Sequence, residues 1–489
     1  MEETMAFVIY NSMTRQKEEF IPREPGKVGM YVCGPTVYGP PHLGHAKSYI
    51  TFDVLAKHLR RSGYKVRYVQ NITDVGHLTD DADSGEDKIQ KQARIDKVHP
   101  WEIVDKWTRQ YMNDMEKLKL AHPNFYVRAS QHIPEQIEAI EELVQKNHAY
   151  VVDGNVYFDV ESFPEYGKLS GRRLEDQKEA VRVEGRGEKR NPKDFALWKK
   201  AEESHILKWN SPWSVGYPGW HIECSVMANK YLGVSFDIHG GGLENKFPHH
   251  ECEIAQSECV HEKPFCRYWM HNNMVTVDGI KMGKSLGNFK TCEDLLSKHT
   301  PEAIRVFLLS THYRSPSNYT EEAIEAAAVG LSRLSQLYQA LNEITSAGEA
   351  SKSPMADEQI LKICEKAESE ICERLNDDLD TPGAIAKIYG LVSDVNRIIA
   401  ADKISSATAN KVIETLKNWA GDILGILPDS ENNKSDLNIE PLMDLVIDFR
   451  ANMKSQKRYD VADSIRDKLK EAGIVIEDTK SGVRWKKGQ

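Results

Sequence analysis

The sequence predicts an α/β protein. A doubly wound, Rossmann-like parallel-sheet domain carries a large insertion and is followed by an all-α domain and a small α+β C-terminal domain. Three observations carry this reading. Val28–Cys33 is a short apolar run, followed by a Gly/Pro-punctuated turn (Gly34–Pro41) and a helix with Ala46, Ile50, Val54 and Leu55 on one face. Strand-rich stretches fall in two blocks, about 1–115 and 215–290, with a helix-rich segment between them that reads as an insertion. From Thr320 onward the chain is nearly all helix until a short strand pair closes it.

Composition bounds the function classes. The chain has 489 residues, 40% apolar and 28% charged, which fits several packed domains and argues against disorder. No apolar run approaches the roughly 20 residues needed to span a bilayer, so no membrane role is expected. MEETMAFVIYNS has neither the basic start nor the apolar stretch of a signal peptide. Eight cysteines in so long a chain are not a disulfide framework, and a reducing, cytoplasmic setting is expected. The formal net charge is −10, so a nucleic-acid partner would have to meet local basic faces.

In chain order, Tyr64–Gln70 reads as a second strand, which completes a βαβ unit ending at Asn71-Ile72-Thr73-Asp74. Asp80–Asp87 reads as an acidic loop, Asp87–Lys119 and Ile133–Lys146 as helical, and Tyr150–Val160 as a strand. Gly185–Pro192 reads as a basic loop. Trp213, Trp220, His221 and Cys224 crowd a segment read as strand or turn. FDIHGGG reads as a strand, PHHECEIAQSECV as a helix start, and Tyr268–Val277 as a strand running into the loop Lys281–Ser285. Thr320 is the expected N-cap of a long helix with Glu321 and Glu322 in its first turn. Linkers are expected at Ser346–Pro354 and Pro428–Leu437, and helices at Asp357–Leu375 and Pro382–Ala400. The tail reads as helices Pro441–Gln456 and Tyr459–Ala472, the second ended by Gly473, then a hairpin.

Two short motifs point to phosphate chemistry. In His42-Leu43-Gly44-His45, two histidines one turn apart at a helix start can donate to a phosphate oxygen. In Lys281-Met282-Gly283-Lys284-Ser285, two ammonium groups on a loop suit neutralisation of a polyphosphate, without the spacing of a Walker loop. Each motif alone also reads as an ordinary helix surface or basic loop. A metal set is available as well. His249 and Glu253 share a helix face at i, i+4, and with Cys33 and Cys224 they make a sufficient zinc donor set. Spacing does not select it over His250, Cys252 or Cys259. A His-Glu-x-x-His metalloprotease pattern is absent, since Ile254 follows His250-Glu251 at the ligand position. Cys252, Cys259, Cys266, Cys292, Cys364 and Cys372 read as buried structural thiols.

Taken together, the motifs resemble those of the class I aminoacyl-tRNA synthetases, and within them the cysteinyl family. The resemblance is carried by MYVCGPTVYGPPHLGH, NITD, YGKLSG, KRNPKDFALWK, SPWSVGYPGWHIEC, FDIHGGG, FPHHECEIAQSE, YWMHNNMVTVDGIKMGKSLGNF and the terminal GVRW, across nearly the whole chain. It implies ATP-dependent activation of L-cysteine and transfer to tRNA(Cys), with His42, His45, Lys281 and Lys284 catalytic. It implies ATP binding by His42, Gly44, His45, His239, Gly240, Gly241 and Lys284, with Mg²⁺ carried by ATP. It implies one zinc ion per chain on Cys33, Cys224, His249 and Glu253, selecting the substrate thiolate against serine. Thr36, Tyr38, Thr73 and Trp220 would wall the cysteine pocket. Lys454, Asp463, Asp478 and Trp485 would meet the anticodon.

The implied division is a catalytic first half at 1–115, a connective insertion at 116–214, and a catalytic second half at 215–290. A stem-contact region at 291–345, a helical anticodon-stem domain at 346–427 and an anticodon-binding domain at 428–489 complete it. A monomer is expected. This chain departs from the family pattern at Leu43 (isoleucine), Gly283 (serine), Glu244 (aspartate) and Lys454 (arginine). NITD continues as VGHLTDDADSGEDK, longer than in the short form of the family. Two rival readings remain open: a ligase joining cysteine to an amino-sugar, which would not need residues 346–489, and a non-catalytic tRNA-binding paralogue, which should have lost signature residues.

Overall fold

The structure is a computed structural model and describes residues 6–78, 86–172, 189–283, 286–348, 353–428, 439–471, 474–479 and 482–487. Its centre is a sheet of five parallel strands: β1 (Lys27–Val32), β2 (Lys65–Ile72), β3 (Phe125–Arg128), β4 (Phe236–Gly242) and β5 (Cys266–Asn272). Their spatial order is β5-β4-β1-β2-β3, with every pairing parallel. The sheet therefore winds outward in both directions from the β1/β4 boundary. In such folds ligands bind outside the carboxyl ends of the strands at that switch point. All seven residues of β4 are buried, as expected of a central strand covered on both faces.

Three helices frame the switch point. Helix α1 (Leu43–Arg61) crosses from β1 to β2. Helix α2 (Trp220–Leu232) leads into β4, and α3 (His249–His261) joins β4 to β5 and packs on α2. The placement of Cys224 corrects the sequence reading, which had it in a strand or turn. It lies in the first turns of α2, where His221 through Ala228 are all buried. A helix buried on every side has no polar face, so it shows no helical period in the sequence.

One Asp-Gly turn splits a stretch read as a single strand, and a second folds the end of Tyr268–Val277 onto the residues that follow it. Asp153 (φ 51°) and Gly154 (φ 88°) turn Ala149–Val152 back onto Asn155–Phe158. Asp278 (φ 51°) and Gly279 (φ 76°) turn Val275–Val277 onto Ile280–Lys281. Paired positive-φ residues are what tight hairpins need. The first hairpin belongs to the inserted antiparallel sheet, which also takes in Phe195–Lys200, Trp209–Asn210 and Val215–Pro218. Val275–Val277 leaves the parallel sheet and pairs with Ser317–Tyr319. A further hairpin, Val8–Asn11 with Gln16–Glu19, was not foreseen.

Thr320 caps helix Glu321–Ala347, its hydroxyl accepting from the Ala323 N–H. Helices Pro354–Asn376, Thr381–Ala401 and Ser406–Leu416 follow, the last running into a π-helical turn at Lys417–Ile423. By its contacts the chain forms two compact units, 1–427 and 428–489. The second contains helices Ile439–Ser455 and Tyr459–Glu471 and the antiparallel pair Ile474–Thr479 and Gly482–Lys487. Lys284, Ser285, Gly473 and residues 80–85, 185–188, 349–352 and 429–437 of the expected loops and linkers lie outside the described residues.

One buried cation ties the helical region to α1. Arg305 is fully buried, and its Nη2 meets Asp53 Oδ2 of α1 at 2.9 Å. Its Nε and Nη1 donate to the carbonyls of Leu424 (2.6 Å) and Leu118 (3.0 Å). Each of the three guanidinium nitrogens thus makes a bond, and removing the group leaves the buried Asp53 carboxylate with only Lys57 (2.9 Å) and the Ala121 N–H (2.9 Å). Arg305→Met should destabilise the protein by about 3 kcal/mol in urea unfolding. A loss within about 0.5 kcal/mol would mean the pair is dispensable.

Candidate active site and metal cluster

The carboxyl ends of β1, β2 and β4 converge. The Cys33 N–H donates to the Gly240 carbonyl at 2.9 Å. The next N–H, of Gly34, donates to Asn71 Oδ1 at 2.7 Å. A Cβ on Gly34 would stand 1.6 Å from the Asn71 carbonyl oxygen, so only glycine allows this crossing. Beyond it, Thr36 bridges to Thr73. A cleft of 530 Å³ opens here. Cys33, His249 and the four pocket candidates Thr36, Tyr38, Thr73 and Trp220 line it. His42, Gly44 and His45 line it from α1, so elements far apart in sequence share one cavity.

The first signature is also the cap of α1. His42 Nδ1 accepts from the Gly44 N–H (3.1 Å), and His45 Nδ1 accepts from the His42 N–H (3.2 Å). The rings stack with centroids 3.8 Å apart. A neutral imidazole that accepts at Nδ1 carries its proton at Nε2, so each ring presents a donor at Nε2. Burial, and secondarily the neighbouring His42, hold His45 well below the usual imidazole range, which keeps it neutral.

The segment after the second signature docks on this cap. The Leu43 N–H donates to the Lys290 carbonyl (3.0 Å) and the Cys292 N–H to the Pro41 carbonyl (2.9 Å). Phe289 meets the His42 ring edge-on. Asn288 ties the loop, accepting from the Gly283 N–H (2.9 Å) and donating to the Lys281 carbonyl (3.2 Å). Lys281 is exposed at the end of its short strand, while Lys284 lies outside the described residues.

Cys33, Cys224, His249 and Glu253 are all buried, with one ligand atom of each within 4.8 Å of the others. A second set, Cys33, His239, His250 and Glu253, meets the same criterion. The two differ in exposure to the cleft. Cys33 and His249 line it, whereas His239 and His250 are fully buried behind. His239 Nε2 meets Glu253 Oε2 at 2.8 Å, and His250 Nε2 lies 3.2 Å from Cys33 Sγ. They are placed to orient ligands from behind, as outer-shell groups do. His250 Nδ1 continues to His271 (2.9 Å), and His271 to Ser12 Oγ (2.8 Å). His249 offers Nε2, 3.0 Å from Glu253 Oε1, and its Nδ1 meets His221 at 2.8 Å.

Without an ion, burial pushes the Cys33 thiol and the Glu253 carboxyl well up and His249 well down. All three are thus driven toward their neutral forms. A divalent cation reverses that preference for thiol and carboxyl.

The glycines of FDIHGGG have packing duties. A Cβ on Gly240 would meet the Phe52 ring at 2.4 Å, and one on Gly241 would meet His250 at 2.9 Å. Neither glycine nor the His239 side chain lines the cleft. Gly242, Glu244 and Asn245 do. Sequence reasoning missed His77, Lys88 and Asn71 in the cleft wall. Only the unusual continuation of NITD hinted at the first two. In the C-terminal unit, Asp463 is exposed and paired with Arg466 (3.2 Å), Lys454 and Trp485 are half-buried, and Asp478 lies opposite Val483 in the hairpin.

Comparison with known proteins agrees with this architecture. Residues 19–329 match the family model for the tRNA synthetases class I (C) catalytic domain, and residues 370–428 match the DALR domain. The cysteine--tRNA ligase of Chlorobium chlorochromatii is 51% identical over 488 residues, covering 98% of this chain and 99% of that protein. That of Deinococcus radiodurans is 49% identical (98% and 96% covered), and that of Thermus thermophilus 47% (99% and 99%). Among solved structures, methionyl-tRNA synthetase of Mycobacterium tuberculosis with methionyl-adenylate superposes at a TM-score of 0.61. It is 15% identical, with 84% of this chain and 93% of that one covered, and shows a shared fold.

The electrostatics of the cluster have a measurable sign. Burial holds Cys33 and Glu253 toward their protonated forms, and these protons must leave for a metal to bind, so zinc affinity should rise with pH. Chelator competition should show at least about tenfold tighter binding at pH 7.5 than at pH 6.5. Cys224→Ser should lose the ion under the same conditions. A pH-independent affinity would contradict the buried, proton-holding cluster.

Proposed function

The chain belongs to the cysteine--tRNA ligase family of class I aminoacyl-tRNA synthetases, and from that premise we propose how its site works. It activates L-cysteine with ATP and transfers the product to tRNA(Cys). The observation that carries the assignment to residues is the single cleft shared by the capped histidine pair and the Cys/Cys/His/Glu cluster.

ATP lies with its phosphates at the N-terminus of α1, where the backbone dipole and the Nε2–H groups of His42 and His45 face it. A carboxylate oxygen of cysteine attacks the α-phosphorus. The new O–P bond forms as the bond to pyrophosphate breaks. His42 and His45 stabilise the charge that develops, and Lys281 with Lys284 neutralise the departing phosphates, with Mg²⁺ accompanying ATP. The adenosine lies along the rim formed by Gly242, Glu244 and Asn245. In the second step a ribose hydroxyl of the tRNA 3′-terminal adenosine attacks the carbonyl carbon, and AMP leaves.

Cysteine sits with its side chain toward Cys33 and His249, between Trp220, Thr36, Tyr38 and Thr73. The four donors Cys33, Cys224, His249 and Glu253 fit one zinc ion per chain, which when bound supplies a soft acceptor for thiolate that the hydroxyl of serine cannot match. A plain pocket separates such near-isosteres by only about 1–3 kcal/mol. The DALR region and the C-terminal unit take the tRNA, with Lys454, Asp463, Asp478 and Trp485 meeting the anticodon, and the enzyme acts as a monomer in the cytoplasm. The full-length likeness to tRNA ligases, including residues 370–428, leaves no support for the amino-sugar reading.

Cysteine-dependent ATP–pyrophosphate exchange followed by charging of tRNA(Cys) tests this directly. Exchange should require cysteine, and tRNA rather than amino-sugar should accept the product. His45→Ala should cut kcat for exchange by about 10²-fold with little change in cysteine KM. Undiminished exchange in that variant would remove the histidine pair from the mechanism.

A further inference from the structure

The extension after NITD has no part in the reaction as described, yet it reaches into the cleft. Leu78 bridges to Asp87, and the Lys88 N–H donates to the His77 carbonyl (2.9 Å), so both ends of the excursion are pinned together. This brings the side chains of His77 and Lys88 to the cleft wall. The His77 ring stacks on Trp220, centroids 4.1 Å apart and 14° from parallel. Trp220 in turn stacks on His249 of the metal cluster at 4.2 Å and 19°.

The hydrogen bonds of His77 have a direction. Its Nε2 lies 2.9 Å from Lys88 Nζ, and its Nδ1 lies 2.6 Å from Thr36 Oγ1. An ammonium has only protons to give, so Nε2 accepts and the ring proton sits on Nδ1. His77 therefore donates to Thr36 Oγ1. The Thr36 hydroxyl is left to give its own proton elsewhere, and Thr36 lines the cleft.

We propose that His77 is a positioning residue of the amino-acid pocket: it fixes Thr36 as a hydrogen-bond donor to the substrate carboxylate and braces Trp220 against His249. It does not touch the substrate. Lys88 sets its tautomer, and lies over the Tyr38 ring of the same wall (5.6 Å). The inference rests on the pocket assignment proposed above.

The test is a double-mutant cycle on the full-length, zinc-loaded protein, read by cysteine-dependent pyrophosphate exchange. Thr36→Val and His77→Phe, which keeps a ring on Trp220, should each raise cysteine KM about tenfold. The double variant should be no worse than the worse single one, because both remove the same donor. His77→Ala should cost more than His77→Phe, since the brace goes too. ATP KM and zinc content should stay within about twofold of wild type, which a general loss of structure would not allow. Multiplying effects in the double variant would overturn the proposal, as would an unchanged cysteine KM in both His77 variants beside a raised one in Thr36→Val. A parallel rise in ATP KM would also overturn it. An unchanged cysteine KM in Thr36→Val would instead overturn the pocket assignment itself, and the role of His77 with it.

Discussion

The hydrogen bond from the Cys33 N–H to the Gly240 carbonyl joins β1 to β4 at the point where the sheet reverses direction. Everything chemical in the structure depends on that junction. Two residues beyond β1, at Gly34, the backbone must cross Asn71 so closely that a Cβ cannot be accommodated. The crossing turns the chain toward α1 and sets its N-terminus over the carboxyl edge of the sheet. The same junction holds the Cys33 thiol beside α2 and α3, which carry the other three members of the cluster, Cys224, His249 and Glu253. The histidine pair of α1 and the cluster residues Cys33 and His249 are thereby brought to one cleft, as the proposed reaction needs if a carboxylate is to be held against a phosphorus.

The cluster illustrates how burial is reconciled with charge. Several buried histidines surround two thiols and a carboxyl, and burial drives Cys33, His250 and Glu253 toward neutrality. This would be an expensive collection of polar groups if left unpartnered. The histidines bond in a chain, His250 to His271 to Ser12, and His239 caps the second oxygen of Glu253. These bonds help hold the candidate ligands in place, and the N-terminal hairpin, through Ser12, is part of what holds them.

How much of this the sequence disclosed depended on range. Local features were legible: the cap at Thr320, the βα turn at Gly34–Pro41, and the strand at FDIHGGG. The helical state of Cys224 was not, because burial on all sides of α2 erases periodicity. The Asp-Gly turn at 153–154 is visible in the letters, yet Tyr150–Val160 reads as one alternating strand, and Tyr268–Val277 likewise hides the break between Asn272 and Val275. Spacing alone offered His250 on equal terms with His249. Family resemblance chose His249, and the structure adds that His249 faces the cleft while His250 backs it. The glycines of β4 suggested room for a ligand, yet two of them make room for Phe52 and His250. His77 was illegible as a pocket residue because its contacts, Thr36 and Trp220, lie 41 and 143 positions away along the chain.

The central claim is that the Cys33–Cys224–His249–Glu253 cluster opens onto the amino-acid pocket, so that the substrate's sulfur joins it. Zinc K-edge X-ray absorption on the loaded protein measures this directly. Addition of L-cysteine should add one sulfur neighbour to the ion, and L-serine should leave the spectrum unchanged. A spectrum unaltered by saturating cysteine would make the cluster purely structural and contradict the account.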